Sequence, residues 1–310
     1  MMTRILITGG TGFIGSHLVR DCLRRGDEVT VIARPDSDTW RLDGILDRIT
    51  VERLEPRDAQ GMRLLLARVQ PDRVFLLAAA TRFDQRDGLR DMDRALRANV
   101  EPLRIMLDEL AAMTTPPKAV IRSGTLAEIS TARREPGSIY GLSVLMGTHL
   151  LRIWREWTGV PSVTARLSLT YGGDQSTDFF VPGAIADALS GGLAPPNRPD
   201  AMRDLLHVDD AVGALQLMAE HAATLPAVVN VSTGAPHRLG DVAALIADIA
   251  GQPISAGAER AGADDIVSAP PSPELAALGW APRVTLQDGL AQVFDWENDR
   301  AFSKSARAAQ

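Results

Sequence analysis

The sequence predicts an α/β protein built on a doubly wound parallel sheet (Rossmann type), with a smaller substrate-binding region toward the C-terminus. Three observations predict it. The stretch Thr8-Gly9-Gly10-Thr11-Gly12-Phe13-Ile14-Gly15 lies between the apolar run Ile5-Leu6-Ile7 and a helical pattern reaching about Arg25. Apolar strands and amphipathic helices then alternate along the chain, as βαβ units require. The 310 residues, 45% of them apolar, can bury a core large enough for such a sheet and a second region.

The glycine stretch reads as a dinucleotide cradle. Gly9 permits a tight turn out of the strand, Gly12 lets backbone approach a pyrophosphate, and Gly15 lets the helix pack close to the sheet. Thr11, Phe13 and Ile14 place their N–H groups at the positive end of that helix, where phosphate is favoured. Glu28 to Ala33 forms the next strand, and Arg34 follows it. An acid there would hold the adenosine ribose hydroxyls and favour NAD; an arginine suits a 2′-phosphate, so NADP is expected and NAD is the second choice.

Ile49 to Leu54 predicts a third strand, Asp58 to Val69 a returning helix, and Val74 to Ala80 a strand buried on both faces. That strand ends in Ala78-Ala79-Ala80, small enough for a cofactor to lie against, with Thr81 at the sheet edge where ligands bind. A long helix from Gly88 to Met113 carries Asn99, and Ala119 to Arg122 is a strand running into Ser123-Gly124-Thr125. Val163 to Leu167 is the sixth strand, after a helix ending near Thr158. These elements divide the chain into a dinucleotide domain, 1–167, a substrate region, 168–302, interleaved with the last sheet elements, and a solvated tail, 303–310. In the substrate region His207 is read as structural, Leu239 to Ala250 as a helix, and Ala256 to Ser272 as irregular.

Composition narrows the partners. The single cysteine, Cys22, rules out an internal disulfide and a multi-cysteine metal site, and it sits on the apolar face of the first helix. A net charge of -6 without a basic block argues against nucleic acid. No apolar run reaches the length of about eighteen residues that spans a bilayer, and no export signal opens the chain, so a cytoplasmic protein is expected.

The Gly-x-x-Gly-x-x-Gly spacing from Gly9, the Ser123-Gly124-Thr125 segment, Ser138-Ile139-Tyr140-Gly141, Arg203-Asp204-Leu205-Leu206-His207-Val208-Asp209-Asp210 and Leu278-Gly279-Trp280-Ala281-Pro282 together resemble the extended short-chain dehydrogenase/reductases, the NAD(P)-dependent epimerase/dehydratase family. The resemblance implies that Thr125, from the segment opened by Ser123, binds the reacting carbonyl and that Tyr140 handles its proton. It implies that Asn99 supports the cofactor end of the site and that Arg203 contacts a substrate diphosphate. Leu169 stands where the family has an asparagine, two residues before Tyr171, and both are candidate substrate contacts. It also implies a homodimer packed through the helices around Asn99 and Tyr140.

Two departures matter. The family's lysine, four residues after the tyrosine, is Val144 here, which leaves no cation apparent in the sequence to stabilise a phenolate. A protonated phenol donates a proton, so reduction of a ketone is favoured over oxidation of an alcohol. Leu126 and Ala127 replace the acid pair of the 4,6-dehydratases and argue against dehydration by that route. The first expectation is therefore an NADPH-dependent ketoreductase of a bulky metabolite such as an aromatic polyketide. The alternatives are a reductase or epimerase of a nucleotide-linked 4-keto-deoxysugar, and a non-catalytic NADP-binding protein.

Overall fold

A computed structural model describes residues 2–83, 89–129, 135–254 and 266–308. Its strands are β1 (Arg4–Thr8), β2 (Glu28–Ala33), β3 (Thr50–Arg53), β4 (Arg73–Leu76), β5 (Ala119–Thr125), β6 (Ser162–Leu167), β7 (Leu169–Tyr171), β8 (Met202–His207), β9 (Val228–Val231), β10 (Pro236–Arg238) and β11 (Ile266–Val267). Its helices are α1 (Phe13–Arg24), α2 (Ala59–Val69), α3 (Arg90–Ala95), α4 (Glu101–Ala111), α5 (Ile139–Thr158), α6 (Phe180–Leu189), α7 (Val208–Glu220), α8 (Leu239–Ala250), α9 (Pro273–Ala277) and α10 (Leu286–Ala308).

The chain divides into two compact units. The first comprises Met1–Leu167, Val212–Val231 and Pro271–Trp280; the second comprises Ser168–Ala211, Ser232–Pro270 and Ala281–Gln310. In the first, seven parallel strands lie in the order β3-β2-β1-β4-β5-β6-β9. The order reverses between β1 and β4, and the crevice at such a switch point is where ligands of doubly wound sheets bind. Leu6, Val74 and Val120 are fully buried within the sheet, and Leu66, Leu107, Leu110, Leu151 and Trp154 pack on them from the helices. Each such side chain contributes roughly 1.5–3 kcal/mol through burial. The Trp154 indole N–H donates to the Leu107 carbonyl at 2.8 Å, so α5 and α4 are locked by a bond as well as by packing.

The second unit is organised around β8, which pairs in parallel with β7 and β11 and antiparallel with β10. Its core joins Tyr171, Ile185, Leu205, Val242, Ile246, Leu290 and Val293.

Several elements differ from expectation. Strand β4 stops at Leu76, so Ala78 to Ala80 lie beyond the ladder and leave their backbone open to other partners. The predicted long helix is broken by a π turn over Leu96–Val100, and its expected start at Gly88 lies outside the described residues. Within the segment expected to be irregular, Ile266 and Val267 pair with β8, while 255–265 lie outside the described residues. Helix α10 runs on through the expected tail to Ala308.

Candidate active site

At the dinucleotide end, Gly9 has φ +73 and the backbone of Ala78 lies so close that a Cβ on Gly9 would sit 2.7 Å from the Ala78 nitrogen. Only glycine meets both demands. A Cβ on Gly15 would come within 2.1 Å of the Gly9 carbonyl, which shows how tightly α1 is seated on the loop below it. Helix α1 begins at the N-cap Gly12 with no side-chain cap and no acid in its first turn. Thr11, Phe13 and Ile14 are half-buried around that end, with the Phe13 ring edge-on to His17. Ala78 and Ala79 are exposed beyond β4. An uncapped helix start facing the switch point, beside two exposed small residues, fits the pyrophosphate of a dinucleotide; the N–H groups of Phe13 and Ile14 would hold it, while that of Gly12 closes the turn onto the Gly9 carbonyl at 2.9 Å.

Arg34 is exposed directly after β2, 3.6 Å from Asp36. Sequence reasoning missed its neighbour Arg53, whose Nη1 donates to the carbonyls of Arg34, Pro35 and Ser37 and shapes that loop. Asp58 accepts the Gly61 N–H at 2.9 Å as the N-cap of α2.

Asn99 is buried on the π turn, a distortion that often accompanies functional positions. Its Oδ1 accepts the Ala80 N–H at 2.7 Å; its Nδ2 donates to the Ala80 carbonyl and to Ser143 Oγ, both at 3.0 Å. All its side-chain bonds tie the segment after β4 to α5, so in this structure Asn99 positions the cofactor-end residues.

The reaction end is built where β5 meets α5. Ser138 caps α5 by accepting the Gly141 N–H at 3.0 Å, which sets Tyr140 in the first turn. Thr125, at the end of β5, shares a hydrogen bond with the Tyr140 phenol and accepts the Ala127 N–H at 3.2 Å. Ser123, two residues earlier, is half-buried within the strand and pairs with Ala165. Thr81, Phe83, Ser138, Ile139 and Tyr140 line a cleft of about 180 Å3. The predicted residues Thr81 and Tyr140 thus share one opening; Phe83 and Ile139 were not anticipated.

Beneath this pair lies a buried network that the sequence did not reveal. Glu128 is fully buried. Its Oε1 accepts the Thr125 N–H at 3.1 Å, and its Oε2 accepts from Arg166 Nε at 2.8 Å and from Thr148 Oγ1 at 3.0 Å. So engaged, Glu128 is a structural anchor for Thr125 and not a free base. Burial raises the Tyr140 pKa and the charge of Glu128 adds to the rise, while the Arg122 guanidinium and the Thr125 hydrogen bond pull the other way. The phenol is therefore protonated at neutral pH. The expectation that no cation serves it is corrected by Arg122, which comes from the strand rather than the helix. The signal was present: a charged residue directly after the buried run Ala119-Val120-Ile121 demands partners.

In the second unit, Arg203 lies on β8 and donates to the Met202 carbonyl at 2.8 Å, and Leu169 is 36% exposed on β7. Tyr171 is 1% exposed, edge-on to His207 at 5.5 Å, and a Cβ on Gly289 would meet its hydroxyl. Burial and the charges of Asp210 and Asp288 push its phenol well above the usual tyrosine range. It is a core side chain, which corrects its expected place among substrate contacts. Cys22 is buried, receives the Gln216 amide at 3.2 Å, and has its thiol pushed up to about 12, chiefly by burial. Among the described residues no cluster of three or more metal-ligating side chains occurs, and no helix is long and apolar enough to cross a membrane.

The NAD dependent epimerase/dehydratase family matches residues 5–232. The dTDP-glucose 4,6-dehydratase of Escherichia coli is 25% identical, over 94% of this chain and 92% of that protein. The Streptomyces griseus protein of the same name is 27% identical, over 96% of this chain and 94% of its own. Among solved structures, the UDP-glucose 4-epimerase of Thermotoga maritima with UDP-glucose superposes with a TM-score of 0.83 at 23% identity, covering 96% of this chain and 99% of that one. Bordetella bronchiseptica WbmF in complex with NAD+ and UDP superposes with a TM-score of 0.82 at 22% identity, covering 99% and 98%. At these identities the structural likeness is one of fold.

Proposed function

The chain belongs to the NAD dependent epimerase/dehydratase family, and from that premise we propose that it is a nicotinamide-dependent oxidoreductase of a nucleotide-linked sugar, working as a reductase of a 4-keto sugar. The named relatives act on, or were solved with, nucleotide sugars and nucleotides, which moves the weight from the aromatic polyketide to the reading that stood second in the sequence. The observation that carries the proposal is the Tyr140 phenol, which lines the cleft with Thr81 and Ser138, is held protonated and has the Thr125 hydroxyl as its hydrogen-bond partner.

A bound nicotinamide supplies or removes the hydride. The chain's own part is the proton and the orientation. As the carbonyl carbon is reduced, the Tyr140 O–H bond breaks and its proton passes to the carbonyl oxygen, while Thr125 hydrogen-bonds the same oxygen. The phenolate left behind is reprotonated from water. Dehydration is disfavoured because Leu126 and Ala127 offer no acid or base and Glu128 is engaged by its own donors. We assign Arg203 to the diphosphate. We assign the exposed Arg34, on a loop shaped by Arg53, to a 2′-phosphate, which makes NADP(H) the preferred cofactor even though the named structural relative carries NAD+.

Thermal stabilisation by UDP or dTDP tests the substrate class. A Tm rise with either diphosphate that disappears in Arg203→Ala supports the nucleotide-sugar reading. A rise with neither, alongside turnover of a ketone that carries no nucleotide, returns the protein to the small-molecule ketoreductases.

A further inference from the structure

We propose that Arg122 supplies from β5 the positive charge that position 144 of α5 does not, and that it acts through Tyr140 as an electrostatic and positioning residue. The inference rests on the reading of Tyr140 as the proton donor. Arg122 is 5% exposed, in a strand whose other residues from Ala119 to Ile121 are apolar. Its Nη2 donates to the carbonyl of Val144 at 3.0 Å, and its Nη1 donates to Thr148 Oγ1 at 3.1 Å. The guanidinium is therefore fastened to α5 one turn beyond Tyr140, with its plane against Gly147. A Cβ on Gly147 would sit 2.4 Å from Nη2, so the helix carries glycine where the cation passes.

A guanidinium buried this far loses its hydration, a cost that persists only where other groups offset it. Burial indeed lowers the Arg122 pKa, and the charges of Glu128 and Tyr140 oppose that fall. The charged groups acting on the phenol are Arg122 on β5 and Glu128 on the following turn, with the Thr125 hydroxyl as its hydrogen-bond partner. When Tyr140 gives up its proton, the negative charge arises beside a cation already in place. That pre-organisation is what lets a tyrosine without a helical lysine still serve as an acid.

The chain contains two tyrosines, Tyr140 and Tyr171, so each phenol can be followed separately. The full-length protein is labelled with tetrafluorotyrosine, whose four ring fluorines together lower the phenol pKa far enough to bring the Tyr140 titration into a range the fold tolerates. The 19F resonances are assigned with Tyr140→Phe and titrated without substrate. In Arg122→Gln the Tyr140 midpoint should rise by about one pH unit or more, in Arg122→Lys by less, with Tyr171 unmoved in both. Should Arg122→Gln fail to fold, Gly147→Ala displaces the guanidinium without removing it and should move the midpoint in the same direction. A Tyr140 midpoint unchanged in a folded Arg122→Gln or Gly147→Ala protein overturns the proposal and makes Arg122 a structural partner of α5. Because the titration needs no substrate, a shifted phenol in a protein inactive on every nucleotide sugar supports this inference while refuting the proposed function.

Discussion

Replacing Asn99 with alanine should weaken both the fold and cofactor binding. Three hydrogen bonds disappear at a buried position: from the Ala80 N–H at 2.7 Å, to the Ala80 carbonyl at 3.0 Å and to Ser143 Oγ at 3.0 Å. At about 1 kcal/mol each the loss is about 3 kcal/mol, and more if the Ala80 N–H finds no other acceptor. For a chain of this length that is about 4–5 °C in Tm. Because the Ala78 to Thr81 segment is then released from α5, affinity for the dinucleotide should fall about tenfold. Asn99→Asp is the sharper variant. Its carboxylate still accepts from Ala80 but must face the Ala80 carbonyl with a second acceptor, so it should be no more stable than Asn99→Ala at neutral pH. Differential scanning calorimetry and isothermal titration with NADPH read both effects. An Asn99→Ala protein that melts within 1 °C of the parent, with unchanged cofactor affinity, would refute the argument, because the bonds would then be neither structural nor positioning.

Asp72 gives a pH-dependent prediction. Burial alone would raise its pKa, but the Arg4 backbone N–H, the Lys118 ammonium and the Arg4 guanidinium outweigh it and hold the carboxyl at about 2. A carboxyl depressed in the folded state stabilises above its unfolded value near 4, and that stabilisation is lost as pH falls toward 2. Asp72→Asn should therefore cost about 1 kcal/mol at neutral pH, since water screens part of the attraction, and the gap to the parent should close in acid melts. Arg34→Asp should weaken NADPH binding roughly 10- to 100-fold and strengthen NADH binding, because the introduced carboxylate accepts from the ribose hydroxyls; equal losses of both would remove Arg34 from the phosphate site. A homodimer packed through α5 would cover the exposed Leu142, Met146 and Trp157, the last 82% exposed. Sedimentation should show a dimer that Leu142→Glu with Met146→Glu converts to monomer, and a monomeric parent would refute that packing.

The sheet was legible because its signals are local. Ile5-Leu6-Ile7, Val31 to Ala33 and Ala119 to Ile121 are apolar runs, Val163 to Leu167 alternates apolar with polar residues, and Gly9 to Gly15 between strand and helix leaves few alternatives. What local pattern could not carry was the company each residue keeps. Val144 lies in the sequence where a cation belongs, yet the cation reaches α5 from β5, twenty-two positions earlier. Tyr171 looks like a second functional tyrosine until its ring is found beneath Gly289. Glu128 appears as an ordinary acid after a strand, and only the fold brings it Arg166 and Thr148. The break of α3 and α4 at the π turn is announced by Pro102, which has no N–H for the Ala98 carbonyl, but nothing local announces the bond it serves to Ala80, nineteen residues away.

The central claim is tested most directly by following nicotinamide absorbance during incubation of the protein with a nucleotide-linked 4-keto-deoxysugar and NADPH, beside Tyr140→Phe. Oxidation of NADPH coupled to reduction of the sugar, with kcat at least a hundredfold lower in Tyr140→Phe and KM little changed, is the predicted result. Undiminished turnover in Tyr140→Phe would contradict the assigned proton donor. Tight NADPH binding with no turnover of any nucleotide sugar would contradict the reductase itself.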